Sequence, residues 1–259
     1  MVLGSYLCFF GVFSPVLAKI ESPVFGVIDW FPFGWVEAGK NYGLVVDVAA
    51  AIDNAIGMKS QKVVSPVPRV LLAMEKGEFD FTITYRDAAM LGPVDYLADL
   101  GCLRSAVVSF KGAPVTSLEQ LNGLRVAYPG GGYFVKRFLP SLDLKGLAVS
   151  HTEMMFRMAL RKRLDAFIIN DAVWYGYKND LNPQFKVSPD LWPLLADPLY
   201  VETLPLSVSI SKESKYQAEA EKIRGLMSNK AFKEALRNIY KRYQLPEALD
   251  CLVDHTSVE

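Results

Sequence analysis

LRVAYPGGGYFVKRFL, residues 124–139, is the stretch whose reading decides the fold. Residues 124–128 are rich in β-branched and apolar residues, bounded by turn residues, and read as a short buried strand. Pro129 and then Gly130, Gly131 and Gly132 follow, and Phe134, Phe138 and Leu139 recur at helical spacing. The pattern is strand, glycine turn, helix start. Without Cβ atoms, successive backbone N–H groups can face a ligand, and a helix N-terminus adds partial positive charge. An anionic group such as a carboxylate fits there. A tight strand-to-helix connection with no ligand is the plainer alternative.

On either side of this turn one unit recurs. LLAMEKGEFDFTIT (71–84) is similar to RMALRKRLDAFIIN (157–170), each a helix, a basic tail, an aspartate and an apolar strand, with Asp80 and Asp165 in the same place. Two copies suggest two lobes of similar build. The strands run out into polar tips, one with Tyr85, Arg86 and Asp87, the other with Asn170 and Asp171. In open α/β sheets ligands bind beyond the carboxyl ends of strands, so both tips are candidate cleft walls. Helix capping is the alternative use of these aspartates. Upstream, residues 24–28 read as a strand that ends in Asp29, Trp30, Phe31, Pro32 and Phe33. Three aromatics around a proline cannot all enter one small core, so at least one is expected on a cleft wall. Gly43 opens an amphipathic helix that closes at Gly57, and a strand over 62–65 and a helix over 67–76 follow. Downstream, 106–110 reads as a strand leading to a crossover at 111–114. A capping-box pattern starts a short helix over 117–121. Residues 204–210 read as the return crossover strand, and 216–243 as two helices.

The 259 residues carry 28 Lys plus Arg against 28 Asp plus Glu, with 51% hydrophobic and 22% charged residues. That is a globular composition with ample core, and no basic run suggests a nucleic-acid surface. The first eighteen residues, MVLGSYLCFFGVFSPVLA, carry no charge and end in small residues suited to signal-peptidase cleavage after Ala18. They read as an export signal, although the usual basic start is missing. A retained anchor would need ~20 apolar residues, and Pro15 interrupts these. In the exported chain Cys102 and Cys251 remain and could pair in an oxidising compartment; two buried free thiols are the alternative. Neither GxSxG nor HExxH occurs, and His151 and His255 stand apart from other candidate ligands, so no catalytic residue, metal or cofactor is expected. His151 reads as part of a surface turn between a strand and a helix.

Taken in order, residues 30–33 (WFPF), 43–52 (GLVVDVAAAI), 69–83 (RVLLAMEKGEFDFTI), 117–131 (SLEQLNGLRVAYPGG) and 163–177 (RLDAFIINDAVWYGY) resemble the family 3 extracellular solute-binding proteins of bacterial ABC importers. The resemblance covers nearly all of the exported chain. It implies an α/β, two-lobed periplasmic-binding-protein fold, each lobe a mixed sheet flanked by helices, with two hinge crossovers and a cleft between the lobes. The lobes would comprise 19–108 with 205–259, and 109–204, after a signal over 1–18. The implied protein is a periplasmic monomer that captures a small polar ligand, an amino acid or related metabolite, and delivers it to the importer's membrane subunits. Carried over, the family's ligand contacts fall on Trp30 or Phe31, on Tyr85 and Arg86, on Gly130, Gly131, Gly132 and Tyr133, and on Asp171, which would take the ammonium. Two departures stand out. Gly-Gly-Gly-Tyr replaces glycine followed by a hydroxyl residue, and the segment from Asp80 to Arg86 is shorter than usual. Rival readings are a sensor or partner-binding protein without its own transporter, and a dehydratase-like enzyme on the same fold.

Overall fold

Asp80 and Asp165 make matching bonds. The Asp80 carboxylate accepts from the Val24 amide at 2.8 Å, and the Asp80 amide returns a bond to the Val24 carbonyl at 2.9 Å. Asp165 exchanges the same two bonds with Arg125, at 2.8 and 2.9 Å. Each aspartate thus pins the start of the strand that will lie beside its own, and the repeat in sequence becomes a repeat in topology.

The computed structural model describes residues 22–86, 92–130 and 139–252. In chain order it contains β1 (Val24–Ile28), β2 (Trp35–Glu37), β3 (Lys40–Tyr42), α1 (Leu44–Ile56), β4 (Gln61–Ser65), α2 (Val67–Glu75), β5 (Phe81–Tyr85) and β6 (Val94–Ser109). Then come β7 (Arg125–Pro129), β8 (Lys145–Val149), α3 (Thr152–Leu160), β9 (Ala166–Asn170), α4 (Asp171–Lys178), β10 (Leu199–Ser211), α5 (Gln217–Arg224) and α6 (Lys230–Arg242). Eight strands form one mixed sheet, ordered β4-β1-β5-β10-β6-β9-β7-β8, and β2 with β3 makes a separate hairpin. At one end β1 runs parallel to both β4 and β5; at the other β7 runs parallel to both β8 and β9. The long antiparallel strands β6 and β10 join the two half-sheets. This is the two-lobed architecture of the periplasmic binding proteins, with β6 and β10 as its crossovers.

Register explains where a cleft must lie. β5 ends at Tyr85, opposite Leu206 of β10, which pairs with Gly101 of β6. β9 runs the other way and ends at Asn170, opposite Ser105 of β6. The carboxyl ends of the two half-sheets therefore point at each other across residues 101–105, about 13 Å at ~3.3 Å per strand residue.

Helices follow from their apolar stripes. α1 buries Leu44, Val45, Val48, Ala49 and Ile52 at helical spacing and stops at Gly57, whose φ of 71° is left-handed. α6 buries Phe232, Leu236, Ile239 and Tyr240, and the Asn229 side chain caps its start. The first amides of α1 donate to the carbonyls of Pro32 and Phe33 at 2.8 and 2.9 Å, which fixes the aromatic tip after β1. Gly43 makes this approach feasible, since a Cβ there would lie 2.3 Å from the Phe33 carbonyl oxygen. Cys102 on β6 is bonded to Cys251 in the 3-10 segment Pro246–Leu252, with 6.3 Å between the Cα atoms. Among the described residues no helix is long and apolar enough to cross a membrane.

The strand expected over 106–110 begins far earlier, at Val94, and the one expected over 204–210 begins at Leu199. The helix expected after the glycine turn lies outside the described residues.

Candidate functional site

Asp171 sits where the half-sheets face each other. Asn170 ends β9 and caps α4, its side-chain oxygen accepting from the Val173 amide at 2.9 Å. That places Asp171 in the first turn of the helix, with one carboxylate oxygen accepting from the Ala172 amide at 3.0 Å. The other accepts from Arg104 Nε at 3.1 Å. Asp171 is 5% exposed, so this is a buried acid held by a partly exposed guanidinium. Burial pushes the Asp171 carboxyl above its ordinary range, and the hydrogen bond and charge of Arg104 hold back part of the rise. For Arg104 burial works against the charge, but the Asp171 bond, the Asp171 charge and the two tyrosines Tyr200 and Tyr175 together outweigh it, and the guanidinium stays protonated.

Arg104 is positioned from three sides. Its guanidinium lies 4.1 Å from the Tyr200 ring centroid, a cation–π distance. The Tyr200 hydroxyl is 3.3 Å from that of Tyr175, on the same face of α4 as Asp171. Glu247 of the C-terminal 3-10 segment comes within 3.9 Å. Asp171, Arg104, Tyr175 and Glu247 line a cavity of about 610 Å³, bounded by the crossover strands, one face of α4 and residues 244–251. The disulfide forms part of its wall. Across the gap, the Tyr85 hydroxyl is fully buried. Burial first, and the Asp171 carboxylate second, push this phenol well above its usual range, with a bond to Asn170 opposing. The tip of β5 in one half thus meets the tip of β9 in the other.

The remaining residues singled out in the sequence are dispersed. Arg86 donates to Asp99 at 2.8 Å and stacks over Tyr96, on strand β6. Asp99 also accepts from Ser207, so Arg86 is bound into the crossover strands. The Gly130 amide donates to the Val149 carbonyl at 2.8 Å, within the β7–β8 edge. Gly131, Gly132, Tyr133 and Asp87 lie outside the described residues. Trp30 and Phe31 line a separate cavity of about 280 Å³. There Phe31 is buried, its ring 4.9 Å from that of Tyr177, over Gly176 where a Cβ would come within 2.8 Å of it. His151 is exposed and precedes α3, on the turn after β8.

Arg104 is the residue that the sequence reading missed. Its signal was present, because it is the lone charge in the apolar run from 100 to 108. A charge in a strand of that kind needs a partner, and Asp171 supplies it.

No protein-family model matches the chain, and no curated protein matches it. Solved structures do. The arginine-, lysine-, histidine-binding protein ArtJ of Geobacillus stearothermophilus is similar at a TM-score of 0.69 and 16% identity, covering 86% of this chain and 100% of that one. The VFT2 domain of Bordetella pertussis BvgS is similar at 0.65 and 14% identity, covering 86% and 93%. The ancestral amino-acid-binding protein AncCDT-1, a precursor of cyclohexadienyl dehydratase, is similar at 0.66 and 18% identity, covering 86% and 94%. At these identities the likeness shows the fold.

Proposed function

We propose that the protein is a family 3 solute-binding protein that captures a small polar ligand, an amino acid or a related metabolite, between its lobes. The lobes are 19–108 with 205–259, and 109–204. The observation that carries this reading is the Asp171–Arg104 pair at the meeting point of the strand tips. An acid and a base held side by side complement a zwitterion: the ligand's ammonium engages Asp171 and its carboxylate engages Arg104. Each charge-assisted hydrogen bond contributes ~1.5–3 kcal/mol, and closure of the lobes around the ligand adds buried contact. Arg104 takes the part that the family resemblance gave to Arg86, which is bound to Asp99 instead. Amino-acid-binding proteins among the structural neighbours support the same ligand class. Delivery to an ABC importer, a periplasmic location, a mature chain beginning at Lys19 and a monomeric state belong to this reading.

A sensor role without a dedicated transporter is the second reading, favoured by a histidine kinase sensor domain among the structural neighbours. Enzymatic elimination on this fold is the third, and the dehydratase precursor brings it in. A thermal-shift screen of residues 19–259 against amino acids, polyamines and small organic acids tests the binding claim. A ligand at a hundred times its Kd stabilises the folded state by ~2.7 kcal/mol, a readily measured shift. At least one zwitterion is expected to raise the melting temperature and to be recovered unchanged. Silence across the panel contradicts the reading, and conversion of the ligand moves it to the enzyme.

A further inference from the structure

The disulfide in the wall of the Asp171 cavity has two unequal sulfurs. Cys102 lies on β6 and is buried, whereas Cys251 lies near the end of the C-terminal 3-10 segment and is partly exposed. Both line the cavity of about 610 Å³, so a small molecule that enters it meets the S–S bond from inside. The segment that carries Cys251 has other holds on the fold. Leu245 and Ala248 are buried, and the Leu245 amide donates to the Tyr240 carbonyl at 2.9 Å. Opening the bond therefore leaves the segment seated and able to re-form it.

Cys102 and Arg104 occupy one face of β6. Their partners on β10 are Pro205 and Thr203, with Leu103 opposite Leu204 and no bulge between. Residues two apart on a strand point the same way, with Cα atoms about 7 Å apart. Both side chains line the same cavity. Asp171 engages Nε of Arg104, and Glu247 comes no nearer than 3.9 Å to its Nη1. A guanidinium carries several N–H donors, so Arg104 keeps some for a further anion. Apart from Asp171, the cavity's other charged groups are Lys178, Glu247 and Asp250, all exposed and screened by water. Arg104 is thus the group placed to stabilise a thiolate at Cys102.

We propose that the Cys102–Cys251 disulfide is a thiol-exchange site that responds to a small dithiol. One thiol of the reductant loses its proton to water and attacks Sγ of the accessible Cys251. The S–S electron pair leaves on Sγ of Cys102, which stays a thiolate beside Arg104; a leaving thiol of low pKa departs faster. The reductant's second thiol then attacks its own sulfur in the mixed disulfide, and its proton passes by way of water to the departing Sγ of Cys251. The dithiol is oxidised to its cyclic disulfide, and the protein, reduced by two electrons, holds a thiol at Cys251 and a thiolate at Cys102. The consequence for binding rests on the proposed function: Arg104 there holds the ligand's carboxylate, and the new thiolate competes for it.

The oxidised wild type would first be treated, without denaturant, with the monothiol 2-mercaptoethanol, quenched with iodoacetamide and mapped by peptide mass. The mercaptoethanol adduct is expected on Cys251 and the alkyl group on Cys102. Reaction only after unfolding, or an adduct confined to Cys102, overturns the proposal. The rate of reduction by dithiothreitol is expected to fall about threefold or more in Arg104→Gln and to recover in Arg104→Lys. Equal rates in all three proteins overturn the role given to Arg104. The peptide map uses no variant, so it decides the exchange site even where Arg104→Gln does not fold. Calorimetric titration then compares oxidised and dithiothreitol-reduced wild type, using the zwitterion found by thermal shift. Affinity about tenfold or more weaker is expected after reduction, and equal affinity overturns the competition for Arg104. If no zwitterion binds either form, the proposed function fails, while the peptide map and the rates still decide the exchange site.

Discussion

Asp165 and Asp80 are equivalent in the chain but differ in surroundings, and the difference is measurable. Asp80 is buried and accepts from Ser214 as well as Val24. Asp165 is near the surface and is gripped by the Arg125 side chain at 2.7 and 3.0 Å. The Arg125 hydrogen bond holds the Asp165 carboxyl below its ordinary 3.8. A lowered folded-state pKa stabilises the protein above the unfolded-state value, and that contribution is lost as pH falls through the folded value. Solvent screening limits it to about 0–1 kcal/mol. Asp165→Asn is therefore expected to lower the unfolding free energy at neutral pH by up to that amount, and to match the wild type at an acid pH where Asp165 is protonated in both the folded and the unfolded state. Chemical denaturation at both pH values checks this. The role of Asp165 was half legible: its match with Asp80 could be read from the sequence, but the partners of each aspartate are 40 and 56 residues away.

At the scale of elements, the crossover strands carry the most consequence and were the hardest to read. β6 spans sixteen residues, yet only its apolar end shows a strand pattern in the sequence. Asp95, Asp99, Gly101 and Arg104 break up the rest. The structure gives each a reason: Asp95 lies 4.0 Å from Lys212, Asp99 meets Arg86 and Ser207, Arg104 meets Asp171, and Gly101 leaves room for Tyr240 and Ala248, whose oxygens would lie 2.7 and 2.8 Å from a Cβ. Strand β8, expected before the turn at His151, had no legible bounds for another reason. It is an exposed edge strand with only Val149 buried, so no alternation marks it. The helix–strand units were legible because each helix buries one periodic stripe and each strand, β5 and β9, is a short continuous apolar run buried at four successive residues. The disulfide fastens the C-terminal 3-10 segment to β6 across 149 residues of sequence. Replacing both Cys102 and Cys251 by Ser is expected to cost about 2–5 kcal/mol of stability, chiefly by freeing the unfolded chain. Equilibrium unfolding of the double variant against the oxidised wild type measures it.

At the scale of the whole molecule, two half-sheets of parallel strands are joined by β6 and β10, and their carboxyl ends meet over residues 101–105. That arrangement was legible from the repeat and the strand tips. The composition of the site was legible only in part, because Arg104 reaches Asp171 across 67 residues of sequence and no local pattern links them. The proposed capture of a zwitterion depends on both lobes contributing to one site, with Asp171 from one strand tip and Arg104 from a crossover strand. Calorimetric titration of the wild type and of Asp171→Asn with the zwitterion found by thermal shift tests that most directly. Asparagine keeps the shape and removes the charge. Loss of one charge-assisted bond of ~1.5–3 kcal/mol corresponds to an affinity about 10- to 150-fold weaker in the variant, with its melting temperature in the absence of ligand little changed. Equal affinity in the two proteins would contradict the site and, with it, the proposed mode of capture.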